Sequence, residues 1–522
     1  MSIATLLLLA LSALPSGRPE AQSRPSPGKV SRVPAGVPGR LGVTRQIESP
    51  FVGGLDVLEF GAAADGVRDD ADAWSAALAE AARRNLPVEG GNRSYRVLRS
   101  VRLLPGSVVR NARFIAGTPG MNVILVDSGA RLTGVRITGT GTRGLTERGI
   151  YPASDGASDV VLDVTVDHLT IGVQAQPLLE SMPARWRGKI LAEDIVGNVG
   201  VSEGYGVLLS PAKGFQLEVT ARRVARHALY LSAGASQNEI NLLVEGCGNA
   251  AVQLYSTPDQ PPTRDNVVRG KISGVFVPPG QAPGQSVGVY VLANARNNEI
   301  SVEMDGGGRA EYAIVLEGSG VPGQPLPTAN RVVGCRIQGR FLGTDVIKDL
   351  NGDGTLITAN TVRASASRTV LALRRTGSPT PLAGPSVHDN DVDAQGTDVD
   401  GIYDEVVAAT SYVGTNRIRN NGRGTRIRDA TDGRRTGWSR EYNGSAVIEC
   451  PRANEACSTT VSWPETIASP WVSASATGFS ASSEGFFPAY ASAVTAEGAN
   501  IVVFNGSNVP QSITVDYTLR GD

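Results

Sequence analysis

Residues 59–82 read EFGAAADGVRDDADAWSAALAEAA. Gly61 and the Asp65-Gly66 pair mark tight turns. Asp69 or Asp70 can cap a helix, and Asp72 adds negative charge to its first turn. Beyond them Trp74, Leu78 and the alanines at 77, 81 and 82 fall on one face at helical spacing. The stretch predicts a short amphipathic helix entered through an acidic turn.

The rest of the chain does not look helical. Among 522 residues there are 62 glycines, while aromatics make up only 5%. Such a chain fills its core with Val, Ile, Leu and Ala and turns often, which favours many short strands. Lys and Arg (49) balance Asp and Glu (50), a net charge of −1. That excludes a dedicated nucleic-acid binder, which needs clustered positive charge. A charged fraction of 19% with 41% hydrophobic residues excludes wholesale disorder.

The opening stretch also resembles a known pattern. The run FGAxxDGxxDDxxAxxxAxxxA is matched by Phe60, Gly61, Ala62, Asp65, Gly66, Asp69, Asp70, Ala73, Ala77 and Ala81, with Ala71 where Thr is usual. In this it resembles the pectate-lyase-like, single-stranded right-handed β-helix superfamily, which includes secreted polysaccharide-degrading enzymes and phage tailspikes. The resemblance implies that the helix caps the first coil of a β-helix and that the acids around it are structural. It also implies three chains packed side by side.

Two repeats agree with such a coil. Asn followed two residues on by Ile or Val recurs at Asn238, Asn266, Asn298, Asn330, Asn360, Asn390 and Asn416, at steps of 26 to 32 residues. Asn suits a recurrent sharp turn because it tolerates left-handed backbone angles. A six-residue strand repeats as YGVLLS from Tyr205, HALYLS from His227, AAVQLY from Ala250, VGVYVL from Val287 and YAIVLE from Tyr312. Its third and fifth positions are apolar in every copy and should point inward, its fourth outward. The long step between the third and fourth copies places an inserted loop in 258–284. At roughly 25 to 28 residues per coil, about twelve or thirteen coils give a rod on the order of 60 Å long.

From Trp438 the rhythm stops. ASAVTAEG, ANIVVFNGS and QSITVDYTLRG alternate polar and apolar residues between turns, as antiparallel strands do. The ending resembles the terminal sandwich modules of phage tail proteins. The expected fold is therefore all-β: a single-stranded right-handed parallel β-helix over 51–437 with a short N-terminal capping helix, preceded by an apolar segment and linker (1–50) and followed by a C-terminal antiparallel β-sandwich (438–522).

Residues Ile3 to Leu14 form an apolar run too short for a membrane-spanning helix. A secretory signal peptide and a segment docking onto a larger assembly both remain open; no Lys or Arg precedes the run. Cys247 and Cys335 read as core residues. Cys450 and Cys457 could close a small disulfide loop.

No phosphate-binding glycine loop or HExxH motif is present. Asp349-Leu-Asn351-Gly-Asp353-Gly354 matches the first half of a calcium loop, but the twelfth position is Asn360 rather than Glu, so a turn between coils is preferred. The acidic segment 388–405 could bind calcium but reads as a solvated loop. No cofactor or metal site is assigned, calcium being the one cation to consider. His168 and His388 have no visible partner, and Asp163 and Asp167 alternate outward. Tyr230, Tyr255 and Tyr290 are the candidate carbohydrate-binding residues, because aromatic faces stack on sugar rings. Glu203, His227 and Glu317 are the candidate catalytic residues. Glu317 shares the outward face; Glu203 and His227 have inward parity but sit at strand entries, where alternation need not hold.

The family resemblance at both ends implies a phage tailspike or tail-fibre protein that binds host surface polysaccharide, with cleavage left open. Its N-terminal segment would meet tail or baseplate proteins, and it would sit on the virion tail, outside the cell. The rivals are a secreted bacterial polysaccharide lyase or glycoside hydrolase, and a structural or adhesive appendage without catalysis. Neither nucleic acid nor a membrane span enters any of these.

Overall fold

The structure, a computed structural model, describes residues 53–197, 203–277, 286–319, 321, 323–375, 384–405, 412–414, 416–420, 427–429, 440–453, 455–462, 471–479, 489–495, 498–505 and 510–521. The apolar run 3–14, the linker up to residue 50 and residues 278–285 of the expected insertion lie outside the described residues.

The opening stretch folds as its spacing predicts. Helix α1 (Ala71–Arg84) buries Ala71, Ala73, Trp74, Ala77, Leu78 and Ala81. The Trp74 ring meets Tyr95 edge-on at 5.1 Å and Phe114 at 4.6 Å, so the helix seals the first coil with aromatic packing. Its acids serve the backbone. Asp69 accepts from the Ala71 and Leu98 amides, both at 3.1 Å. Asp70 accepts from Ala63 at 2.6 Å and Ala64 at 3.2 Å. The amides of Arg68 and Val67 hold the Asp65 carboxyl down at about 2.

Behind the cap the chain winds into a parallel β-helix. One sheet has 13 strands, from Val101–Leu103 to Ile427–Asp429, and the other has 19, all paired in parallel with the coil before and after. The aligned repeats are in register: Val207 opposes Leu229, Leu229 opposes Val252, Val252 opposes Val289, and Val289 opposes Ile314. These third-position residues and the fifth-position Leu209, Leu231, Leu254, Val291 and Leu316 are all fully buried in one continuous core. Cys247 and Cys335 lie in it too.

The asparagine rhythm is two ladders, not one. Asn238, Asn266, Asn298 and Asn330 stack at one corner; each Nδ2 donates to the next Oδ1 at 2.8 to 3.0 Å. Asn360, Asn390 and Asn416 stack at another, with Cys335 at its head, whose amide donates to Asn360 Oδ1 at 2.8 Å. Early coils need only one such corner because their long strands, such as Glu239–Gly248, run unbroken. Later coils split that strand in two, as in Arg331–Val333 and Arg336–Arg340, and the second ladder turns the new corner.

Two local expectations are corrected. Much of the supposed insertion is a strand, Val267–Phe276, which pairs with its neighbours along its length. The acidic segment 388–405 is also largely strand: Asp391–Ala394 and Asp400–Asp404 are solenoid rungs, and Asp391 pairs with Arg419 at 3.1 Å.

The C-terminal strands form two antiparallel three-stranded sheets, Arg440–Cys450, Gln511–Gly521 and Trp471–Phe479 in one, Glu455–Ser462, Gly498–Asn505 and Ala489–Ser492 in the other. Ile448, Ile513 and Val515 pack against Ile501 and Val503 between them, and a Cys450–Cys457 disulfide links the two.

Candidate functional site

The outer face of the 13-stranded sheet holds or borders each candidate catalytic and carbohydrate-binding residue named above. Simple alternation would put the first position of each repeat inside. It lies outside instead. Tyr205 packs with Ile171 and Leu208, against Tyr230, and Val287 packs with Ala250 and Val315, against Tyr290 and Tyr312. The cause is the second position, where small residues turn inward beside the third: Ala228 with Leu229, Ala251 with Val252, Ala313 with Ile314 all belong to the core. Coils approach closest there. A Cβ on Gly172 would stand 2.5 Å from the Gly206 carbonyl oxygen. First- and fourth-position side chains therefore share one outer wall.

On this wall His227 lies between aromatic rings. It stacks on Tyr205 at 5.5 Å and meets Tyr230 at 5.5 Å. It is 0% exposed, and its Nδ1 faces the Ala250 carbonyl at 3.0 Å. Burial drives its imidazole well below the ordinary value, with Arg226 adding to the effect. A neutral ring buried in this way packs the wall. Burial likewise raises the Tyr230 phenol.

Glu203 enters at the edge of the wall. Thr146 Oγ1 donates to its Oε2. Arg226 donates to the Tyr205 hydroxyl at 3.1 Å. Burial raises the Tyr205 phenol, Arg226 opposes this and the nearby Glu203 charge adds to it. So Glu203, Arg226, Tyr205, His227 and Tyr230 form one cluster. Tyr255 is the next rung beyond Ser232, half-buried, its phenol raised by burial.

Glu317 belongs to a second cluster. The Tyr290 hydroxyl donates to Glu317 Oε2. Burial pushes the Tyr290 phenol well up, and Glu317 pushes it further. Glu203 precedes the strand Tyr205–Leu209 and Glu317 ends the strand Tyr312–Glu317, with those of His227, Ala250 and Val287 between, so at about 4.8 Å per rung their backbones stand about 19 Å apart along the axis. A glycosidase pair needs roughly 5 to 10 Å.

Several groups escaped sequence reasoning. Arg226 carries the positive charge of the first cluster, yet nothing in its spacing marks it. Glu147 is buried beside Thr146 and accepts from Thr140 N and Oγ1; burial raises its carboxyl. Asp167 is not a solvated acid: it is buried, accepts from Arg136 at 2.8 Å and holds His168 Nδ1 at 2.7 Å. His388 faces Thr358 and Asp389. Such partners lie one coil away and leave no local signature.

The half calcium loop lies partly inside the tube. Asp349 sits at the inward fifth position, accepting from the Gly352 amide at 2.7 Å, and Arg375 donates to the Gly352 carbonyl at 2.8 Å. Burial raises the Asp349 carboxyl and the Arg375 charge opposes it. Among the described residues no group of three His, Cys, Asp or Glu side chains is placed to hold a metal, and no helix is long and apolar enough to cross a membrane.

No family model matches the chain, and no curated protein does. Solved structures do. The tailspike protein of E. coli bacteriophage HK620 in complex with a pentasaccharide has 11% sequence identity, with 90% of this chain and 94% of that one covered and a TM-score of 0.44. A single mutant of that tailspike, also with the pentasaccharide, gives 12% identity over 90% and 94% with a TM-score of 0.42.

Proposed function

We propose that this protein is a phage tailspike or tail-fibre protein whose β-helix holds host surface polysaccharide along the outer wall of the 13-stranded sheet. The observation that carries this reading is the row of tyrosines on that wall, at Tyr205, Tyr230 and Tyr290, with Glu317 hydrogen-bonded to Tyr290. Flat aromatic faces with a carboxylate at hand suit sugar rings, which offer apolar faces and hydroxyl edges. In this reading three chains pack side by side, the virion tail carries them and the N-terminal segment attaches to it.

Binding without cleavage is the second reading, favoured by the separation of Glu203 and Glu317. The test is host polysaccharide binding and depolymerisation by the native particle, compared with Tyr290→Phe and Glu317→Gln. Binding weakened about tenfold by either substitution supports the wall as the site. Unchanged binding in both variants removes it. Loss of product with Glu317→Gln at unchanged binding would make Glu317 catalytic.

A further inference from the structure

We infer that the opposite, 19-stranded sheet carries an oxyanion subsite, suited to the carboxylate or phosphate of an acidic saccharide and separate from the tyrosine wall. A surface hollow of about 360 Å³ lies between the strands Arg336–Arg340 and Thr361–Ser365, lined by Glu303, Arg336, Ile337, Gln338, Thr361 and Arg363. Arg336 opposes Thr361 and Gln338 opposes Arg363 in register. The two arginines thus stand on one diagonal of a square, about 8 Å apart at the backbone. Both side chains line the hollow.

Three of the acids around this square already have partners. On one side Glu303 is held by Lys271 at 3.2 Å, and Asp305 accepts from the Gly307 amide at 2.9 Å and from Gln338 Nε2 at 3.4 Å. On the other, Asp391 is held by Arg419, while Asp393, opposite Arg363 in register, has a buried Oδ1 with no hydrogen-bond partner. Arg336 and Arg363 enter no ion pair among the described residues, although both are exposed. Two free guanidinium forks over a hollow fit an oxyanion, which takes paired N–H donors in a plane. Thr361 adds a hydroxyl donor at the same place. Ile337, buried beneath, gives the hollow a rigid floor.

The experiment is calorimetric titration of the full chain at low and high salt with three probes: trigalacturonate for a carboxylate, glucose 6-phosphate for a phosphate, and maltotriose as a neutral sugar. The variants are the doubles Arg336→Gln with Arg363→Gln and Arg336→Lys with Arg363→Lys. The expected result is binding of at least one acidic probe that weakens with salt. It should fall at least tenfold in the glutamine variant and by a smaller factor in the lysine one, which keeps charge but not the fork. The tighter acidic probe identifies the source of the anion. Failure of both acidic probes to bind the parent, or equal binding by a glutamine variant with parental thermal unfolding, overturns the inference. Tyr290→Phe and Glu317→Gln should leave acidic-probe binding unchanged, so loss at the tyrosine wall and loss at this hollow are read separately.

Discussion

Replacing Asn298 by Ala tests whether the ladder holds the coils together. Asn298 is 0% exposed. Its Nδ2 donates to the Thr263 carbonyl at 3.1 Å and to Asn330 Oδ1 at 3.0 Å. Its Oδ1 accepts from the Asn266 amide at 3.1 Å and from Asn266 Nδ2 at 2.9 Å. Truncation removes all four bonds, each worth about 0.5–1.5 kcal/mol net, and strands the buried Asn266 N–H at a further cost of about 1–3 kcal/mol. Some of this overlaps, and the expected loss is about 3–5 kcal/mol. Native-state hydrogen exchange is the right assay, because a long solenoid can open locally before it unfolds globally. The amides of Asn266 and Asn298 should exchange far faster, while those near Trp74 should not change. Asn241→Ala, at an exposed strand position, should cost no more than about 0.5 kcal/mol. A loss below about 1 kcal/mol for Asn298→Ala, with unchanged exchange at Asn266, would refute the idea that the ladder is a stabilising device.

Two further outcomes follow from buried groups. Trp74→Ala should destabilise the capped end by about 3–5 kcal/mol, read by urea titration, since its ring fills the space against Tyr95 and Phe114; a loss under about 1 kcal/mol would mean that the cap is not packed. Arg375→Met should cost about 3–5 kcal/mol near neutral pH, because it removes the cation that faces Asp349, Asp353 and Asp404. Burial holds the Asp349 carboxyl above its ordinary 3.8, so the folded chain keeps that proton more tightly than the unfolded one. Its contribution is present below the unfolded value and is lost as pH rises through the folded value. The deficit of the Arg375→Met variant should therefore be smallest near pH 3 and grow toward pH 7; a pH-independent deficit in thermal unfolding would contradict this.

The entry helix, the parallel coil and the antiparallel tail were legible because each rests on local signals: the Glu59–Ala82 spacing, the six-residue strand and the Asn rhythm. Sequence could not tell that Asn330 and Asn360 turn different corners, since both precede a strand and only pairing partners a coil away separate them. It also placed His227 as a candidate catalyst, when two consecutive inward residues, Ala228 and Leu229, shift the alternation and bury the ring among tyrosines. The pairing of Tyr290 with Glu317 crosses 27 residues, and the hollow at Arg336 and Arg363 depends on which acids other cations have claimed. Such facts belong to the stacking of coils rather than to any stretch of chain.

The corners carry a last consequence. Extra residues enter at bends such as 256–262, while Val252, Val289 and Ile314 keep their register on either side. Bends can therefore lengthen, shorten or change composition from one lineage to the next while the rungs stay put. A protein of this build can change what its rim touches without relearning how to fold.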